Sequence, residues 1–220
     1  MFIKLSSILK SNCVASIENH IFKKKQPIVE FSDFREQTTK TLDASYFARF
    51  HYKKITPIKL MTFDGKQVDA QVVKASAKHI HIKCNGECVG LVNISYSTAP
   101  FEGANYPEYY KGKPYIHLHD LSSLKNYKGI GTQLIKAAVQ ESVRIGMEGR
   151  VCLTASSTNA KFGSPVPFYY KLGFESTYAR KQKLIADAMK NGLPLPKDCE
   201  STTMFLPREK AIELLPCKII

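Results

Sequence analysis

No run of apolar residues in this 220-residue chain approaches the roughly 20 that a helical membrane span requires, so no membrane association is expected. The opening stretch, MFIKLSSILKSNCVAS, also lacks an unbroken apolar core. Lys4 and Lys10 interrupt it below the length of an export signal, and a cytoplasmic location is expected. Internal repeats and low-complexity tracts are missing, which excludes solenoids and linker-like proteins. The phosphate-binding pattern GxxxxGK[ST] is absent too, so P-loop chemistry is excluded.

What is present suits one globular domain with an appendage: 44% hydrophobic and 23% charged residues. The six cysteines (Cys13, Cys84, Cys88, Cys152, Cys199 and Cys217) read as reduced thiols in a chain without an export signal. Cys84 and Cys88 flank Asn85-Gly86-Glu87 and are placed to face each other across a hairpin, packed as thiols without a metal. Net charge is +13. Such an excess concentrates anionic partners without choosing among them. A nucleic-acid partner would rest on charge alone, since no interleaving of aromatic and basic residues accompanies it.

The hydrophobic periodicity shifts along the chain. Helical spacing over 1–26 ends at Pro27. A short strand over 27–31 and a helix over 33–49 follow. From Ile58 the pattern is β: Ile58–Phe63 and Gln67–Val73 flank Asp64-Gly65, and His79–Cys84 and Cys88–Ser97 flank Asn85-Gly86, two hairpins with two-residue turns. Residues 98–114 read as a loop rich in Pro, Gly and Tyr, and 114–121 as a strand. A helix is predicted over 126–143, with Ile130, Leu134, Ile135, Ala138, Val139 and Val143 on its buried face. A strand over 150–155, a short helix over 167–172, a helix over 178–190 and a strand over 202–206 complete the reading. Pro207 opens a short terminal helix. Strands paired in hairpins and strands joined through helices together imply an α/β fold with a mixed sheet.

The sharpest local feature is the run from Leu121 through Lys128, Gly129, Ile130, Gly131 and Thr132 into that helix. A strand ends, a glycine-containing turn follows, and an amphipathic helix begins, which places free N–H groups and the positive dipole end at one point. Glycine lets a phosphate approach the backbone, and Lys128 and Thr132 add a cation and a hydroxyl. The dinucleotide pattern GxGxxG fails because residue 134 is leucine.

Asn126-Tyr127-Lys128-Gly129-Ile130-Gly131 between strand and helix resembles the Gln/Arg-x-x-Gly-x-Gly/Ala motif of the GNAT (Gcn5-related N-acetyltransferase) superfamily. Val151-Cys152-Leu153-Thr154-Ala155 resembles the family's next strand, and Phe168-Tyr169-Tyr170-Lys171-Leu172-Gly173-Phe174 its FYxKLGF segment. Asn126 departs from the motif's first position. The resemblance covers residues 115–175 well and 79–97 passably. It implies a single GNAT-like domain over 61–220, with a mixed, centrally splayed β-sheet flanked by helices and an N-terminal extension over 1–60. It further implies acetyl-CoA as acyl-donor cosubstrate and a primary amine of a small molecule or protein as acceptor. The backbone at His119, Asp120 and Leu121 would hold the thioester and pantetheine, and the segment Tyr127–Thr132 the pyrophosphate. Asn159 is a poor match to a family asparagine.

By the same resemblance Tyr169 is the general acid, and its phenol, with a pKa of about 10, stays protonated at neutral pH. His117 is the candidate base. His117-Leu118-His119 resembles the His-Leu-His of the serotonin-acetylating branch of the family, and alternation turns both imidazoles to one face of the strand. Tyr115 stands where histone-acetylating members carry a glutamate. Asp120, on the opposite face, is a poorer base, and Glu102 and Glu108 sit in the preceding loop. His79-Ile80-His81 repeats the spacing, but the chemistry implied needs no metal. Cys152 reads as a buried strand residue, not a nucleophile. Phe101, Tyr106, Tyr109 and Tyr110 are expected to line the acceptor side. The acceptor itself stays open among lysine side chains, protein amino termini, polyamines, arylalkylamines and antibiotic amines. So does a homodimer, and so does a non-catalytic acyl-CoA-binding module of the same fold.

Overall fold

The computed structural model describes residues 54–97, 107–123, 127–156 and 163–215. The elements expected over 1–26, 27–31 and 33–49 lie outside these residues, as do Phe101, Glu102, Tyr106, Asn126, Asn159, Cys13 and Cys217.

A 9-stranded mixed sheet organises the described residues, in the order β6-β1-β2-β3-β4-β5-β7-β9-β8. Its strands are β1 (Lys54–Thr62), β2 (Gln67–Lys74), β3 (His79–Cys84), β4 (Glu87–Ser97), β5 (Tyr115–Ser123), β6 (Tyr127–Lys128), β7 (Val151–Ala155), β8 (Glu175–Ser176) and β9 (Thr202–Phe205). Helices α1 (Ile130–Arg144), α2 (Val166–Lys171), α3 (Ala179–Asn191) and α4 (Arg208–Leu214) complete it. Pairing is antiparallel throughout except between β5 and β7, which run parallel because α1 carries the chain across. Among the described residues no helix is long and apolar enough to cross a membrane.

Alternation divides the sheet into two faces. Ile80, Ile82, Val92, Ile94, Ile116, Leu118, Val151 and Leu153 are buried beneath α1, which covers them with Ile130, Leu134, Ile135, Ala138 and Val139. Helical spacing aligns those five residues on one stripe. The other face carries His79, Asn93, Ser95, His117 and Thr154, together with a small cluster of Tyr110, Tyr115, Cys152 and Phe205.

The second hairpin folds as expected: Cys84 pairs with Glu87 across Asn85-Gly86, whose φ are +50° and +81°. The first does not: Met61 pairs with Gln67 and the Thr62 N–H donates to the Lys66 carbonyl, so Phe63, Asp64 and Gly65 form a three-residue loop with Gly65 at φ +86°. Three further details differ from expectation. β1 begins at Lys54, ahead of Ile58, because Lys54 pairs with Lys74 of the longer β2. Cys84 and Cys88 do not face each other: the two-residue turn pairs Cys84 with Glu87 and so sets Cys88 opposite Lys83. Their thiols donate instead to the carbonyls of Asp69 and Gly90. Finally, α1 starts at Ile130, not 126. Tyr127 and Lys128 first pair with Thr62 and Met61 as an edge strand, and Gly129, at φ +86°, cannot sit in a right-handed helix.

One ionic cluster ties α1 to the sheet. Glu141 accepts from Arg144 through two bonds of 2.7 Å and from the Lys74 ammonium, which also donates to Tyr96 Oη at 3.4 Å. Lys74 and Glu141 side chains are only 6% and 5% exposed. Burial pushes the Glu141 carboxyl up, but Arg144 and Lys74 together outweigh it and hold the group below its ordinary range. Burial lowers Lys74 in spite of its partner.

Candidate active site

β5 and β7 share only three partner pairs, Ile116–Val151, His117–Cys152 and Leu118–Leu153. Beyond Leu118, β5 continues with β4 to Ser123, while β7 turns away after Ala155. Where the two strands part, a cleft of about 980 Å³ opens. It reaches both faces of the sheet, with Leu121 and Tyr169 on the α1 side and His117, His119, Asp120 and Thr154 on the other.

A bulge shapes the floor of this cleft. Between Ile94 and Val92, β4 supplies one residue, Asn93, whereas β5 supplies His119 and Asp120 between Leu118 and Leu121. The extra residue interrupts the ladder and turns both side chains to the cleft. Strict alternation had placed Asp120 opposite His117, and the bulge corrects that. Asn93 Nδ2 donates to Asp120 Oδ2 at 3.2 Å, and Ser95 Oγ lies 2.7 Å from His119 Nε2.

His117 and His119 stand on one face as expected, with ring centroids 4.6 Å apart. They are not equivalent. His119 is exposed, whereas burial, and then the neighbouring His119, lowers the His117 pKa to about 4. His117 is therefore neutral throughout the physiological range and a weaker proton acceptor than the ordinary imidazole expected there.

Tyr169 reaches the cleft from α2. Ser164 Oγ fixes the start of this helix, accepting from the Val166 N–H at 3.2 Å and donating to the Glu200 carbonyl at 2.8 Å. The Tyr169 ring packs edge-on against Phe168 and Phe174 at 5.1 and 5.7 Å, so it is a core aromatic and a cleft-lining residue at once. Its hydroxyl makes no hydrogen bond among the described residues, and burial pushes its pKa up to about 12.

The glycine turn stands beside this cleft. Gly129 caps α1 with no side-chain hydrogen bond, and the first turn holds no acidic residue. The leading amides of α1 are thus left without a side-chain acceptor at the positive end of the helix dipole. A Cβ on Gly129 would meet nothing within 4 Å, so the turn is open to an incoming group. Gly131 serves a different end: a Cβ there would lie 2.7 Å from Phe168 Cζ, so its lack of a side chain lets α2 pack against α1. Thr132 is half-buried in the same first turn. Lys128 lies on β6, its Nζ 5.6 Å from the centre of the Phe63 ring.

Several expected acceptor-side residues are elsewhere. Tyr110 is buried, its hydroxyl donating to the Val151 and Leu206 carbonyls at 3.0 and 2.8 Å and accepting from the Val151 N–H. Tyr109 donates to the Glu148 carbonyl beneath the Arg150 guanidinium. Both lock the 107–114 segment onto the end of the sheet, because phenols in so apolar a place need a buried acceptor. Glu108 pairs with Lys111 at the surface. Tyr115 is buried against Tyr110, so the position that would hold a glutamate does not face the cleft. Cys152 is fully buried. The strand β4 lies between His79-Ile80-His81 and the other pair, although His79 also lines the cleft, and among the described residues no three metal-ligating side chains converge. Asn93, Ser95 and Thr154 were not singled out from sequence. The polar alternation of Asn93, Ser95 and Ser97 against Val92 and Ile94 was the available signal.

The model of the acetyltransferase (GNAT) family matches residues 40–174, more than half the chain. The chain belongs to this family. No curated protein matches it. Among solved structures it is similar to Arabidopsis thaliana Naa50 in complex with the bisubstrate analogue CoA-Ac-MVNAL. Identity there is 17% over 59% of this chain and 72% of that one, with a TM-score of 0.36. It is also similar to the Bacillus subtilis N-acetyltransferase YlbP in complex with coenzyme A, at 11% identity over 70% and 95% of the two chains and a TM-score of 0.37. Likenesses at this level carry no functional argument, and the family assignment rests on the sequence match.

Proposed function

We propose that the protein is an acetyl-CoA-dependent N-acyltransferase that moves the acetyl group directly to a primary amine. The observation that carries this reading is the convergence of Tyr169, His117 and His119 on one cleft, opened by the parting of β5 and β7 beside the uncapped start of α1. The amides at Gly129, Ile130, Gly131 and Thr132 are suited to the pyrophosphate. The backbone around His119, Asp120 and Leu121, released from the ladder by the bulge, is suited to the pantetheine arm and thioester. Acetyl-CoA would supply the activated acyl carbon.

In the transfer the amine nitrogen attacks the thioester carbonyl carbon, the C–S bond breaks, and the sulfur leaves as thiolate. The ammonium must first lose a proton. His117, held neutral by burial, presents an unprotonated imidazole, and His119, exposed and fixed by Ser95, returns that proton to solvent. Tyr169, whose raised pKa keeps its hydroxyl protonated, donates to the departing thiolate, and the second proton that the nitrogen sheds on becoming an amide restores the phenol. Asp120 brings a carboxylate to the same cleft and favours an incoming cation.

Thiol release from acetyl-CoA, followed against a panel of primary amines, tests the reading. Turnover that requires an amine supports it. Tight acetyl-CoA binding without turnover for any amine would favour a binding module of the same fold. In an active enzyme Ser95→Ala is expected to lower kcat about tenfold, since His119 loses the partner that orients it. An unchanged kcat would remove Ser95 and His119 from the proton path.

A further inference from the structure

The β1–β2 turn projects a large aromatic side chain into solvent: Phe63 is 64% exposed, more than any other large apolar residue described. Its position is set by an unusual contact. The two residues ahead of Gly129 form β6, which pairs with the end of β1, Thr62 against Tyr127 and Met61 against Lys128. Phe63 follows Thr62 directly, so it is held beside the open start of α1.

The charges around it are arranged in the same sense. Lys128 lies over the Phe63 ring and, among the described residues, forms no ion pair. Lys59, Lys128, Gly129 and Gln133 line a small recess of about 130 Å³ next to the turn. Lys66, at the far side of the β1–β2 turn, pairs with Asp64. An exposed aromatic ring beside a lone ammonium, adjoining a set of free amides, fits a ligand with a flat base and phosphate groups.

We propose that Phe63 and Lys128 form the subsite for the nucleotide end of the acyl donor, with the purine stacked on Phe63 and the ribose phosphate on Lys128. The proposal rests on the acyl-CoA reading above and adds what the shared motif does not supply: a base platform carried by the β1–β2 turn. Binding is thereby divided along the donor. The pantetheine arm is held at the bulge, the pyrophosphate at the turn, and the 3′-phosphoadenosine at Phe63.

The test uses the full chain and two probes, coenzyme A and acetyl-pantetheine, the second lacking the nucleotide. Phe63→Ala is expected to weaken coenzyme A binding about tenfold by calorimetry and to leave the KM for acetyl-pantetheine unchanged. Phe63→Tyr, which keeps a stacking face, should retain wild-type affinity. Lys128→Gln should weaken coenzyme A more than dephospho-coenzyme A. Equal coenzyme A affinity in the wild type and Phe63→Ala would overturn the subsite while leaving the acyltransferase reading intact. No coenzyme A binding by the wild type would overturn both. Position 63 is exposed and touches only Lys128 among the contacts described, so the variant is expected to fold.

Discussion

Replacing Tyr169 by phenylalanine is expected to lower kcat by about 10²- to 10³-fold, with acetyl-CoA affinity changed by less than about threefold. The substitution removes one oxygen and leaves the ring in its packing between Phe168 and Phe174. The fold should therefore survive. What is lost is a proton donor aimed into the cleft. Burial lifts the phenol to about 12, so the hydroxyl holds its proton at neutral pH and has it available for the leaving sulfur. Without it the thiolate must depart unprotonated or wait for water. Steady-state kinetics with a binding isotherm separate the alternatives. A fall in kcat at constant Kd places Tyr169 at the reacting atoms, whereas kinetics equal to wild type would make it a core aromatic alone.

The second large effect concerns stability. Glu141→Ala is expected to cost about 3–5 kcal/mol, because it leaves the Lys74 ammonium buried without a counter-charge. In a domain of this size that corresponds to a fall in Tm of roughly 10 °C. Lys74→Met combined with Glu141→Leu should recover most of the loss, since an apolar pair of similar volume needs no desolvated charge. Denaturant unfolding of the three variants checks this, and a single-variant loss under about 1 kcal/mol would contradict it. The pH dependence has a definite sign. The folded pKa of Glu141 lies below its unfolded value of about 4.3, so its contribution is complete above that pH. It disappears as pH falls through the lowered folded value. His117 acts over a neighbouring window. Its folded pKa of about 4 lies below the unfolded value of about 6.5, so stability also declines as pH falls between these two. His117→Asn should flatten that part of the profile.

The elements that position the cleft were legible because each has a local cause. Asn85-Gly86 dictates a two-residue turn, Gly65 supplies the positive φ that closes the first hairpin one residue wider, and the spacing from Ile130 to Val139 dictates a helix with one apolar stripe. The glycine turn and the Phe168–Phe174 segment pointed to the family, and the family match bears that out. Features set by pairing between distant strands were not legible. The bulge at His119-Asp120 exists because β5 must stay in register with β4 on both sides of Asn93, a constraint that β5 alone does not carry. The same holds for β6, whose two residues form a strand only because β1 is beside them. Tyr109 and Tyr110 misled for a related reason. A loop rich in tyrosine suits either a stacking surface or a set of buried anchors, and only the acceptors offered by Glu148, Val151 and Leu206 decide between them.

Calorimetric titration of acetyl-CoA into the wild type and Gly129→Glu tests the central claim most directly. Gly129 has φ +86° and open space where its side chain would begin. Glutamate would therefore strain the turn and set a carboxylate where the pyrophosphate is to bind. Binding by the wild type that is lost in the variant, with the circular dichroism of both unchanged, is the expected result. No binding to the wild type, or equal binding to both, would make the turn a purely structural helix start and contradict the acyltransferase reading.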